Sequence, residues 1–302
     1  MPNNRIFYAS HGVEVGPAGG SLTTVQGAQS VGVTTNFNLE QAFQLGQLAI
    51  YNNIVTDPEV EVTISKALDG EATIWNLATG GGSIINNAND RTDVTLGVGS
   101  DTAESLTSSA AVTMTGLYVS SLTYTMPVDG NFTEDVTLVG NSKTLTGSVS
   151  APSVSGAVIL RRQNLQISGS TLPAEVQGKN LSSITISTDF GRESLYKLGQ
   201  YAPFYRSVSF PIEVTCEIEV IATTTDQVAC DTSAVGCAGF TGLPEQPISI
   251  NLCNSGGSTY YTFNLGTKNR LQSVNYTGGD TGGGNVSITY SYSTYNDLNI
   301  TG

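Results

Sequence analysis

Two stretches, Glu59-Val60-Glu61-Val62-Thr63-Ile64 and Glu213-Val214-Thr215-Cys216-Glu217-Ile218-Glu219-Val220, decide how this chain folds. In both, apolar residues alternate with acidic or hydroxylated ones. That period of two puts one face of a β-strand against a core and the other in water. Val60, Val62 and Ile64 take one face, with Glu59, Glu61 and Thr63 on the other. Val214, Cys216, Ile218 and Val220 likewise alternate with Glu213, Thr215, Glu217 and Glu219. The stretches also match as text, Glu61-Val62-Thr63 returning as Glu213-Val214-Thr215 at an offset of 213 − 61 = 152.

Further matches keep this register. Val25-Gln26-Gly27 returns as Val176-Gln177-Gly178 (176 − 25 = 151), and Leu45-Gly46-Gln47 as Leu198-Gly199-Gln200 (198 − 45 = 153). Leu122-Thr123-Tyr124-Thr125 has a counterpart in Val274-Asn275-Tyr276-Thr277 (274 − 122 = 152). Collinear matches at one spacing are the mark of a tandem repeat. They predict two β-domains, 1–150 and 151–302. A Ser/Gly/Pro-rich linker, about 146–156, joins them.

Composition agrees with an all-β chain of 302 residues, long enough for two domains. It holds 34 glycines, and Thr, Ser, Asn and Val are abundant, residues suited to strands and turns. Other strands are expected around Ile6–Val15, Val31–Phe37, Ala111–Val119, Leu122–Met126, Val136–Val139, Val158–Ile167, Ile184–Ser187, Tyr260–Leu265 and Val286–Ser293. One short helix per domain interrupts them. Asn38 with Gln41 resembles a capping box ahead of Leu39, Ala42, Phe43 and Leu45, and its partner runs from Asp189 to Leu198. Gly46 and Gly199 would stop the two helices.

The charge balance is 12 Lys+Arg against 25 Asp+Glu, a net −13, which argues against tight binding of nucleic-acid phosphate. A single histidine, His11, leaves little for a catalytic relay or a zinc site. Asp57, Glu59 and Glu61 are spaced for paired acids, but the stripe recurs in the second copy and reads as a solvated sheet face. No enzyme activity, cofactor or metal is expected. The four cysteines all lie in the second copy. Cys216 alternates with valines as a core residue, while Cys230, Cys237 and Cys253 are either free thiols or disulfide partners. Thr79-Gly80-Gly81-Gly82 and the glycine-rich run 278–284 lack the lysine of a phosphate loop and read as hairpin turns. No apolar run reaches membrane-spanning length and no signal peptide opens the chain, so a soluble protein made in a cytoplasm is expected.

The segments Val25-Gln26-Gly27-Ala28-Gln29-Ser30-Val31-Gly32, Asn36 to Leu48, Val60 to Gly70 and Pro127-Val128-Asp129-Gly130-Asn131-Phe132-Thr133 resemble tail tube proteins of tailed bacteriophages. The likeness covers most of the first copy and, more weakly, the second. It implies a duplicated tube domain, each copy a small β-sandwich or barrel with a flanking helix. Six such domains form a ring, and stacked rings make a channel for DNA. Two domains per chain imply three chains in a pseudo-sixfold ring; six chains, with one copy outside, is the competing arrangement. The implied location is the virion tail, assembled in the host cytoplasm. Implied partners are further copies of itself and other tail proteins: tape measure, baseplate or tip, terminator and, in some tails, a sheath. DNA is met only in transit and no membrane is involved.

Glu59, Glu61, Glu213, Glu217 and Glu219 are the candidate lumen-facing residues, since carboxylates repel a passing phosphate backbone. The segments Gly80 to Glu104 and Thr225 to Gln246 are candidate inter-ring loops. The alternative is a receptor- or glycan-binding, or capsid-decorating, β-sandwich, which would display Tyr260, Tyr261, Tyr290, Tyr292 and Tyr295. A glycan hydrolase ranks third.

Overall fold

A computed structural model describes residues 12–98, 110–145, 149, 158–223, 228, 243–278 and 286–302. The chain is mostly β-sheet, arranged in a few sheets. In chain order come β1 (Val13–Pro17), β2 (Thr23–Thr24), β3 (Ala28–Phe43), β4 (Ile50–Ala67), α1 (Ile74–Thr79), α2 (Ile84–Asn87), β5 (Thr92–Val98), β6 (Ala110–Pro127), β7 (Thr133–Gly140) and β8 (Thr144–Leu145). Then follow β9 (Leu181–Asp189), β10 (Glu193–Leu195), β11 (Tyr205–Ser207), β12 (Glu213–Ile221), β13 (Ser249–Cys253), β14 (Thr259–Asn264), β15 (Arg270–Thr277), β16 (Ser287–Tyr295) and β17 (Asn299–Thr301).

Eight strands run side by side in the order β3-β4-β7-β6-β9-β12-β16-β15, every neighbour antiparallel. Alternation places Val60, Val62, Ile64, Leu122, Tyr124, Val214, Cys216 and Ile218 in the core, each at most 1 % exposed. A second layer covers this face. In the first half it consists of α1 and of β2-β1-β5 paired to the first part of β6; in the second half it is β13-β14-β17. Tyr124 from the long sheet meets Phe263 from β14 at 4.6 Å between ring centroids. One hydrophobic core thus runs through both halves.

The two halves of the long sheet share a register. Offsets of 153 for β3 (Val31 to Ile184) and 154 for β4 (Ile64 to Ile218) convert the pair Val31↔Ile64 into Ile184↔Ile218. An offset of 154 for β7 (Val136 to Tyr290) converts Ile64↔Val136 into Ile218↔Tyr290. With 152 for β6 (Leu122 to Val274), Leu122↔Val136 becomes Val274↔Tyr290. The irregularities correspond too. The shift between Ala28 and Ser30 has its match opposite Glu219/Val220, and that between Val119 and Ser121 recurs between Leu271 and Ser273. A β-bulge re-aims every residue beyond it, so matched bulges keep the same parity facing the core in both halves.

Both α-helices lie in the first half, away from the expected positions. α1 is held by three devices. Thr73 caps it, its Oγ1 accepting from the Asn76 N–H at 3.2 Å. The buried Glu134 carboxylate accepts from the Ile74 and Trp75 N–H groups at 2.7 and 3.1 Å, and Gly80 ends the helix in the left-handed region. The stretch from Thr79 to Gly82 is therefore a helix C-cap and not a hairpin turn. The 278–284 run does connect the antiparallel pair β15 and β16, but beyond Gly278 it lies outside the described residues.

The helix expected over Asn38–Leu45 is strand as far as Phe43 and then a turn: Leu39↔Val55, Glu40↔Ile54 and Ala42↔Asn52 pair across β3 and β4. A register shift between Phe37 and Leu39 breaks the period of two there, and β-branched partners on β4 favour the sheet. Its counterpart, Asp189–Leu198, holds the end of β9, the short strand β10 and a turn. The strand expected over Val158–Ile167 contains a 3-10 turn, Arg162–Asn164, instead. His11 and nearly all of the proposed linker lie outside the described residues.

Candidate functional site

The long sheet ends in two unpaired rims. Among the described residues β3 pairs only with β4, and β15 only with β16. Such edges present N–H and C=O groups that template pairing with another strand. Both edges have counterparts that pair inside the chain, because β6 corresponds to β15 and β9 to β3. At that internal seam Leu122 faces Thr188, Tyr124 faces Ile186 and Met126 faces Ile184 on the core side.

The seam is heavily reinforced. The Phe190 N–H donates to Ser120 O at 2.9 Å, just past the end of β9. The Phe190 ring, fully buried, stacks on Trp75 with centroids 5.5 Å apart and planes 8° from parallel. Arg192 spans the same junction, its Nε and Nη2 donating to Val119 O at 2.8 and 2.6 Å and Nη2 also to Ala88 O at 2.5 Å. Burial brings the Arg192 guanidinium down to about 10, and the faces of Tyr118 and Phe190 support the cation.

The free rims lack this cover. Phe37, the counterpart of Phe190, is 67 % exposed, and Tyr276, the counterpart of buried Tyr124, is 58 % exposed. Val274 is also exposed. Sequence reasoning placed Phe37 only at the end of the strand expected over Val31–Phe37, just before the register shift; the signal for its role was its position 153 residues before Phe190.

The sheet face away from the core gathers the acidic candidates. Glu59, Glu61, Glu213, Glu217 and Glu219 all carry the parity opposite to the buried residues. Asp135 and Asp189, not singled out from sequence, join them on β7 and β9. From Glu59 to Ser65, Ser121 to Thr125, Ser183 to Asp189, Glu213 to Glu219 and Ser287 to Ser293, every residue on this face is Ser, Thr, Asp or Glu. Among the described residues only Glu59, at one end, is ion-paired, with Arg206 Nη1 at 3.1 Å. Asp57 lies beyond the row, accepting from Asn141 Nδ2 and the Tyr196 hydroxyl. The proximity of Asp57, Glu59 and Glu61 is thus that of neighbours along a sheet face and its rim.

Beyond that rim stand two arms. The first is the β3–β4 tip, where Leu45 and Leu48 are fully exposed and Phe43 and Tyr51 largely so. The second is the β10–β11 hairpin, with Leu198 fully exposed at its end. Both turn in the same way: Gln47 N donates to Gln44 O, Gln200 N to Lys197 O, and Gly46 and Gly199 sit at φ +87° and +85°. A side chain there would be strained, which explains the shared Leu-Gly-Gln. Tyr196 and Tyr201 tie the arms together, Tyr201 Oη donating to Val55 O at 2.8 Å.

Other candidates fall elsewhere. Tyr261, Tyr290 and Tyr292 are core residues and display nothing to a glycan; Tyr295 is exposed. Much of 80–98 is core too, since Ile84 and Val94 are fully buried, so this part of the first proposed inter-ring loop is structural. Most of the second lies outside the described residues. Cys216 is buried, and burial pushes its thiol up to about 12, while Cys253 is half-buried and free. Cys230 and Cys237 lie outside the described residues. Among the described residues no group of three His, Cys, Asp or Glu side chains could hold a metal ion, and no helix is long and apolar enough to cross a membrane. No protein-family model matches the chain, and no curated protein is similar to it in sequence.

Proposed function

We propose that this protein is a self-assembling structural subunit, a tail tube protein made of two tandem β-domains that arose by duplication. The observation that carries the reading is the internal seam. Two four-strand ladders of equal order and register join edge to edge within the chain, and among the described residues the same two kinds of edge are left free at its ends. Repeating that joint from chain to chain makes a head-to-tail interface, which closes into a ring when the rotation per domain divides the circle. With the joint repeated every domain, three chains complete a pseudo-sixfold ring.

In this ring the acid-and-hydroxyl face lines the bore. A basic lining would displace counterions from a duplex and hold it, whereas carboxylates repel phosphate and leave water between wall and cargo. The arms, with their bare leucines, supply contacts to neighbouring or stacked rings. The implied setting is the virion tail, with other tail proteins as further partners and DNA as a passenger. The glycan-binding alternative draws no support from Tyr261, Tyr290 and Tyr292, which are packed inside.

Negative-stain microscopy and light scattering of the purified full-length chain test the reading. Rings or hollow tubes of uniform bore are the expected result. A chain that stays monomeric over a wide concentration range and binds a glycan array would overturn it.

A further inference from the structure

We propose that chains join in one particular register, that of the internal seam, so that β15 of one copy meets β3 of the next with Val274 opposite Thr35 and Tyr276 opposite Val33, and that Phe37 anchors the joint. This rests on the assembly reading above and says which atoms make it.

The register follows from offsets already fixed by the ladders. Applying 152 to β6 and 153 to β9 converts the internal pairs Leu122↔Thr188 and Tyr124↔Ile186 into Val274↔Thr35 and Tyr276↔Val33. Parity agrees independently. Val274 and Tyr276 lie opposite Tyr290 and Ile288 of the core face, and Val33 and Thr35 lie opposite Val62 and Val60. The joint therefore continues one apolar face, whereas a slip of one residue would set the apolar side of one strand against the hydroxyl side of the other. Direction agrees as well. Eight alternating strands leave β3 and β15 antiparallel, so copies related by rotation alone present the antiparallel pairing of the seam.

Phe37 occupies the place of Phe190. By the same offsets its N–H faces Gln272 O of the neighbouring copy, as the Phe190 N–H meets Ser120 O. An exposed aromatic at the end of an unpaired edge, equivalent to one fully buried at a made seam, is the residue a joint would cover.

Paired cysteines test the register on the full chain. Directly opposed residues lie within disulfide range, while a diagonal neighbour two residues away is generally too far. Under oxidation, Thr35→Cys/Val274→Cys should give covalent multimers ending at three chains. Val33→Cys/Val274→Cys, the singly substituted Thr35→Cys and the parent chain should not. Phe37→Ser should keep the melting temperature of the isolated chain and lose assembly at least tenfold in concentration.

If the parent forms rings but cross-links through Val33, or through Thr35 alone as two β3 edges would, the register is overturned while the tube reading stands. If Phe37→Ser assembles like the parent, the anchor is overturned. A parent that never assembles overturns the reading itself, and the register with it.

Discussion

The same ladder of four strands is built twice in this molecule, and its two copies solve the same packing problem with different chemistry. Where the first half buries Lys66 and Glu134 opposite one another on β4 and β7, the corresponding residues of the second half, 154 further on, are Val220 and Ile288. The polar pair has a task. Glu134 holds the first turn of α1 and accepts from the Tyr124 hydroxyl at 2.8 Å, while Lys66 pairs with Asp69 at 3.2 Å and donates to Ala72 O at 2.7 Å. The second half pairs the same strands with an apolar core, so the ladder needs only parity and bulges, and the buried charges serve the helix.

The edges offer the other contrast. Tyr124 and Phe190 are buried where a strand stands beside them; Tyr276 and Phe37 are open, and among the described residues no strand stands beside them. That difference predicts the largest effect. Tyr124→Asp should abolish the cooperative melt, since it places a carboxylate within the core at a cost of about 4 kcal/mol or more. Tyr276→Asp should change the stability of the isolated chain by only about 0.5 kcal/mol yet block assembly, as read by denaturant melts alongside light scattering. Equal damage from both substitutions would break the comparison.

Next comes the polar pair. Glu134→Leu, borrowing an apolar side chain like that of the second half, strands the Ile74, Trp75 and Tyr124 donors and should cost about 3 kcal/mol. Ile288→Val at the equivalent place should cost about 1 kcal/mol in the same urea melts. A smaller effect on folding, with a clear one on cargo, is expected on the acidic face. Glu61→Lys with Glu217→Lys should leave stability within about 0.5 kcal/mol and make assembled rings retain duplex DNA in a salt-dependent manner. Unchanged retention would remove the lumen assignment.

The smallest effect is one of pH. Burial raises the Glu134 carboxyl above 4.5, outweighing the lowering by its backbone donors, the Tyr124 hydroxyl and Lys66. The native state therefore binds more protons than the unfolded chain above the ordinary glutamate value. This contribution is complete below that value and fades as pH rises through the elevated one. Urea midpoints measured from pH 4 upward should show this slope in the parent and lose it in Glu134→Gln, while Ile288 variants keep it.

Much of this was legible in the sequence, and for one reason. A strand half in a core must alternate, so Val60 to Ile64 and Val214 to Val220 announced both their structure and the direction of their glutamates. Repetition at a spacing near 152 announced the shared ladder, although Glu61-Val62-Thr63 and Glu213-Val214-Thr215 stand two residues out of step, since those strands correspond at 154 and Val62 takes the place of Cys216. Alternation fails where a bulge intervenes, which is why Asn38 to Leu45 imitated a helix. α1 was equally hidden, since six residues from Ile74 to Thr79 carry too little pattern and depend on a carboxylate sixty residues away in sequence.

What the sequence determined alone was which residues face inward, because that depends on neighbours one and two positions along the chain. Only the tertiary structure decided that the end of one ladder pairs with the start of the other, leaving the two outer rims without a partner strand among the described residues. Strand order depends on hydrogen bonds between distant segments, which local spacing does not encode.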